Sequence, residues 1–130
     1  MLPKVTWPDG KSFAFTIFDD TDAATIENVG PVYSLLADCG LRTTKSCWAV
    51  AGDPDRGTYP GPTCEDPEYA RWLLDLESRG FEIGWHNSTW HGLPREKIIA
   101  AMEKYAEVFQ HYPVTMANHS RDEGIYWGEA

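Results

Sequence analysis

The stretch "FAFTIFDDTD", Phe13 to Asp22, sets an apolar, β-favouring run against two adjacent carboxylates, Asp19 and Asp20. Aromatic and β-branched residues bounded by "PDGKS" on one side and charge on the other predict a buried strand over Phe13–Phe18. The chain then changes period. Ile26, Val29, Val32, Tyr33, Leu35 and Leu36 recur at helical spacing from Thr25 onward, and "DCG" with Gly40 supplies a helix stop. Pro31 falls early in that helix or marks a second start.

The same reading continues along the chain. Leu41–Val50 predicts a second strand, less apolar because of Arg42 and Lys45. Ala51–Glu68 is crowded with Gly and Pro and predicts a long loop of the kind that often lines a site. Asp66 followed by Pro67 is an N-cap with proline at the first helical position, opening a second helix that carries Tyr69, Trp72, Leu73 and Leu76 up to Gly80. "FEIGWH" predicts a third strand, Pro94–Gln110 a third helix, and "PVTMAN", Pro113–Asn118, a fourth strand. Alternating strands and helices imply an α/β fold with parallel strands joined by crossovers.

With 130 residues the chain has room for one domain, 1–130, with a real core. Eleven Lys and Arg against 20 Asp and Glu give a formal charge of -9, which repels phosphate backbones and anionic lipid and excludes a basic nucleic-acid surface. Neither nucleic acid nor a membrane is expected as a partner. Cys39, Cys47 and Cys64 form no CxxC cluster and read as ordinary reduced thiols. The first residues, "MLPKVTWPDGKS", lack the pattern of a signal peptide, so a cytoplasmic protein is expected from the sequence as written.

In parallel α/β folds, sites form where strands deliver residues to their C-terminal edge. Asp19 and Asp20 follow the first strand, Trp48 lies near the end of the second, His86 ends the third, and Asn118 and His119 end the fourth. Taken singly these have plain explanations: a solvated turn or a helix N-cap for the acidic pair, a packed histidine for His86, a surface histidine for His119. Taken together, an Asp and two His at one edge form an oxygen and nitrogen donor set suited to zinc or a similar divalent ion. His86 and His91 stand five residues apart, about 140° around a straight helix, so they could meet on one ion only through a loop. "NSTWHG" has the residues for one.

These stretches resemble the polysaccharide deacetylase, or NodB-homology, domain of carbohydrate esterase family 4. "FTIFDDTD" is similar to the family's strand ending in T-F-D-D-G, "GLRTTKSCWAVAG" to its G-x-x-A-T-F-F-x-x-G strand, and "LESRGFEIGWHNSTWH" to the stretch holding its histidine pair. The likeness runs from about Lys11 to Gly128. It implies a parallel (β/α) barrel, of which this chain carries about the first four strands and three helices. It further implies Asp19 as catalytic base and Asp20, His86 and His91 as ligands of a divalent metal, zinc first. The implied reaction removes the N-acetyl group of an N-acetylated sugar or polysaccharide as acetate, leaving a free amine. "NHSRDEGIYWG" stands where the family has its R-x-P-Y motif, which makes Asn118, Arg121 and Tyr126 candidates for substrate contact.

The sequence also departs from the family pattern. His86 and His91 are one residue further apart than the pattern, and Thr21 replaces the glycine after the two aspartates. The family's late L-x-H histidine, its general acid, is not in this sequence, so an incomplete domain is expected, with a missing portion or a second copy covering the open barrel face. Trp48, Tyr59, Trp85, Trp90 and Trp127 could stack on sugar rings, with core packing the plainer role for Trp85 and Trp90. Two other functions fit the same residues: a carbohydrate-binding remnant without catalysis, and an amidase acting on a non-sugar C–N bond.

Overall fold

A computed structural model describes residues 6–57 and 61–119. Its elements are β1 (Phe18–Asp19), α1 (Ile26–Asp38), β2 (Thr44–Cys47), α2 (Pro67–Ser78), β3 (Glu82–Trp85) and α3 (Arg95–Phe109), with single 3₁₀ turns at Pro8–Gly10 and Pro54–Arg56. The three strands form one parallel sheet in the order β1-β2-β3. The protein is therefore α/β, with three helices and a small parallel sheet.

Local chemistry explains the helix starts. Thr25 and Asn28 form a capping box, with Thr25 Oγ1 accepting from the Asn28 amide and Asn28 Oδ1 accepting from the Thr25 amide. Pro31 sits inside α1 without breaking it. Asp66 Oδ1 accepts from the amides of Glu68 and Tyr69, and Pro67 occupies the first turn of α2.

The core gathers Tyr33 of α1, Tyr69, Leu73 and Leu76 of α2, and Ala101, Tyr105 and Phe109 of α3 against Cys47, Ile83 and Trp85 of the sheet. Tyr105 donates its hydroxyl to Ile83 O at 2.7 Å, which satisfies a polar tip inside the core. Cys47 and Cys64 pack sulfur to sulfur at 3.6 Å. Strand residues alternate between faces. The row Asp19, Lys45, Ile83 in the paired register faces the helices, whereas Phe18, Thr44 and Gly84 share the other face. Gly84 is required there, because a Cβ would stand 2.8 Å from both the Phe18 ring and Thr44 Cγ2.

Two strand expectations are corrected. Residues 13–17 are not a buried strand: Phe13 and Phe15 are 73% and 81% exposed, and pairing begins only at Phe18. The register gives the reason. Phe18 pairs with Thr44, so earlier partners would have to come from the turn that closes α1, where Gly40 has φ +71°. Pro113–Asn118 likewise makes a single parallel bridge, Trp85 with Met116, in place of a strand. It meets β3 only at that strand's last residue, through Trp85 N to Thr115 O at 2.9 Å and Ala117 N to Trp85 O at 3.0 Å.

The second strand is also shorter than Leu41–Val50, and all four of its residues are buried despite their polarity. Their polar groups meet the flanking strands: Thr44 donates to Glu82 of β3, Ser46 donates to Asp19 O of β1 at 2.6 Å, and Lys45 pairs with the Asp19 carboxylate. No helix among the described residues is long and apolar enough to cross a membrane.

Candidate metal centre

The loop after β1 is folded by its own side chains. Asp20 Oδ1 accepts from the Asp22 amide at 3.0 Å, a turn that brings the two carboxylates to the same side. Thr21 between them points inward, its hydroxyl 3.4 Å from the Tyr69 hydroxyl. Ala23 then adopts φ +55°, an unfavourable conformation for a residue with a Cβ. It is pinned by Asn28 Nδ2, which donates to Ala23 O, and by the Ala24 amide, which donates to Thr21 O. Loop strain held by specific bonds is a common feature of functional sites.

His86 follows β3 directly and reaches the same side. Its Nδ1 lies 3.1 Å from Ala117 O, and a carbonyl can only accept, so Nδ1 carries the proton and Nε2 presents its lone pair. That buried Nε2 makes no hydrogen bond, yet it lies 3.1 Å from Asp20 Oδ1 and 3.6 Å from Asp22 Oδ1. A lone pair facing carboxylate oxygens is repulsive unless a proton or a cation stands between them. Burial works against the proton: it holds His86 below the ordinary imidazole value in spite of Asp20 and Asp22.

His119 completes the group, with Nε2 2.9 Å from Asp22 Oδ2 and its ring 5.3 Å from that of His86. Ligand atoms of Asp22, His86 and His119 all lie within 4.8 Å of one another. Four-coordinate ligands about 2.1 Å from a zinc-sized ion stand about 3.4 Å apart, a spacing bracketed by the 2.9 Å and 3.6 Å separations of Asp22 from His119 and His86. The carbonyl-anchored Nδ1 of His86 is the usual outer support of a metal-binding imidazole. Partial burial raises the Asp20 carboxyl, but the hydrogen bond from the Asp22 amide works against it, and the group lies below the ordinary carboxylate value.

The structure brings Asp20 and His86 together and adds Asp22 and His119 to them. Asp19 is elsewhere: its Oδ2 accepts from the Tyr33 hydroxyl at 2.9 Å and lies 3.3 Å from Lys45 Nζ, on the helix side of the sheet. His91 is also apart. Its Nε2 accepts from the Asp53 amide at 2.7 Å and its Nδ1 lies 2.7 Å from Gly92 O, so both ring nitrogens are engaged by backbone. Asn118 Oδ1 accepts from Asn87 Nδ2 at 3.0 Å. Arg121 and Tyr126, like Tyr59 and Trp127, lie outside the described residues.

Asp22 escaped the sequence reading, although Asp-Thr-Asp after a strand is a spacing that an Asx turn folds onto one side. The surface position expected for His119 is corrected: the residue is 9% exposed, held between Asp22 and the rings of His86 and Trp48.

Trp48 forms a wall of the centre, stacked on His86 at 6.4 Å and 23°. Beyond it a cleft of about 260 Å³ is lined by Trp48, Thr89, Trp90 and the Gly52 and Gly61 backbones. Trp85 packs in the core instead. A larger cavity, about 430 Å³ between residues 50–54 and α3, is lined by none of Asp20, Asp22, His86 and His119. No protein-family model matches the chain, and no curated protein or solved structure matches it.

Proposed function

We propose that the protein is a metal-dependent hydrolase that removes the N-acetyl group of an N-acetylated sugar. The observation that carries this reading is the convergence of Asp20 and Asp22 on His86 Nε2, with His119 Nε2 joining the group through Asp22. Asp22, His86 and His119 would hold the ion, and zinc suits their oxygen and nitrogen donors. Such an ion supplies Lewis-acid activation of an amide and of water. Asp20 is the carboxylate placed to take a proton: its side chain is 65% exposed, against 27% for Asp22. The pair of carboxylates with separate tasks is then Asp20 and Asp22, while Asp19 is held on the other face by Tyr33 and Lys45. Trp48 and Trp90 offer apolar walls on which a sugar ring can stack.

The sheet order supports the barrel form of the fold. Strands lie in chain order, and the next extended segment pairs on the free side of β3, the sequential neighbourhood a (β/α) barrel requires. The acetyl-sugar substrate rests on the motif resemblance. An amidase acting on a non-sugar C–N bond is the second reading, favoured by a donor cluster in which His119, and not His91, joins His86.

Metal analysis of the purified protein, followed by acetate release from acetylated chitooligosaccharides with and without added zinc, tests the proposal. Zinc-stimulated acetate release that is lost in Asp20→Asn, with bound zinc retained, is the expected result. Zinc-loaded protein that releases no acetate overturns it.

A further inference from the structure

We infer that Asn87 and Asn118 form a clamp that sets the distance between the two metal-facing histidines, so that both are positioning residues of the centre. This rests on the metal reading above but not on the reaction assigned to it.

Each asparagine is the chain neighbour of one histidine. Asn87 follows His86, Asn118 precedes His119, and Asn87 Nδ2 donates to Asn118 Oδ1 at 3.0 Å. Asn87 is 2% exposed and holds φ +60°. Asparagine tolerates that left-handed conformation better than most residues with a Cβ. The turn it makes bends the chain away from β3 immediately after His86. The His119 segment is tied to β3 by the bonds at Trp85 and by the contact of His86 Nδ1 with Ala117 O, and His119 itself meets Asp22 and the rings of His86 and Trp48.

His119 comes from 33 positions further along the chain than His86. Its Nε2 must stay near Asp22 while its ring stands 5.3 Å from the ring of His86 at 85°. The Asn87–Asn118 bond is the side-chain tie between the two neighbours, and it acts with the backbone bonds at Trp85 to set the separation of the backbones that carry the rings. Outer supports of this kind typically change metal affinity about tenfold to a hundredfold when removed.

The two jobs of Asn87, backbone turn and side-chain clamp, can be separated by substitution. Asn87→Gly keeps the left-handed turn and deletes the amide, and Asn118→Ala deletes the other half of the bond without touching the turn. Cobalt(II) titration, followed by visible absorption, measures affinity, and thermal unfolding of the metal-free proteins measures stability. Both variants are expected to bind Co2+ about tenfold to a hundredfold more weakly than the parent, with metal-free proteins that still unfold cooperatively and melt only a few degrees lower, the cost of one lost part-buried hydrogen bond. The inference is overturned if Asn87→Gly binds Co2+ as tightly as the parent, because the residue then serves only its turn. It is overturned equally if the parent binds no Co2+. A parent that binds Co2+ without releasing acetate defeats the hydrolytic reading alone, and the affinities of the variants still decide the clamp.

Discussion

Lys45 Nζ lies 3.3 Å from Asp19 Oδ2, with the lysine side chain fully buried and the aspartate about one-third exposed. Burial lowers the Lys45 pKa, and Asp19 opposes that shift, so the cation depends on its partner. The relationship is lopsided. Asp19→Ala strands a buried ammonium and is expected to destabilise by about 3 kcal/mol in urea unfolding. Lys45→Met leaves a carboxylate that still accepts from Tyr33 and reaches water, so its cost should be clearly smaller. Equal costs would show that the pair does not set the charge state of this strand. Should Asp19→Asn keep its stability and its metal yet lose hydrolysis, the role of base would return to Asp19.

Metal occupancy distinguishes the histidines. Asp22→Ala and His119→Ala are expected to lose zinc affinity by more than about a hundredfold, beyond the usual loss for an outer support. His91→Ala should keep the metal and instead cost about 1–3 kcal/mol, since it abandons the Asp53 amide. Equilibrium dialysis against zinc reads the first effect and denaturant unfolding the second. Loss of zinc in His91→Ala alone would restore the His86 and His91 pair.

Gly84→Ala is expected to destabilise by about 1–3 kcal/mol, because the added methyl meets the Phe18 ring and Thr44 Cγ2 at 2.8 Å. Thermal or urea unfolding checks this. A neutral result would mean that Phe18 can move off the sheet freely, contrary to its place in the register.

His111 gives a pH dependence away from the centre. Its Nδ1 meets Tyr112 O and its Nε2 meets Glu77 of α2, each at 2.9 Å, and these two bonds raise its pKa above 6.5. The protonated form is therefore favoured in the folded state. Its contribution is fully present below the unfolded imidazole pKa and fades as pH rises through the higher folded value. NMR titration should place His111 above the ordinary imidazole range and show a fall in Glu77→Gln. An unchanged midpoint in that variant would remove Glu77 as a cause.

The helices were legible because their signals are local. Thr25, Asp66 and Pro67 announce their caps in a few residues, and the apolar periods agree with them. Strand extents depend on partners distant in sequence. Nothing in "FAFTIF" reveals that Thr44 is where β2 begins, and it is the register that leaves Phe13 and Phe15 outside the sheet. The centre was half legible for a similar reason. Period-two alternation sends Asp19 and Asp20 to opposite faces, a consequence that becomes visible only once β1 is paired. The contact of His119 with Asp22 spans 97 positions, and no spacing rule reaches so far.

The stack of Trp48 on His86 also makes the centre observable by light. An indole packed against the imidazoles of both His86 and His119 is placed to report on their charge, and on an ion bound between them, through its emission. The chain has six tryptophans, so a version keeping Trp48 alone would serve as a built-in optical gauge of occupancy, needing neither substrate nor label.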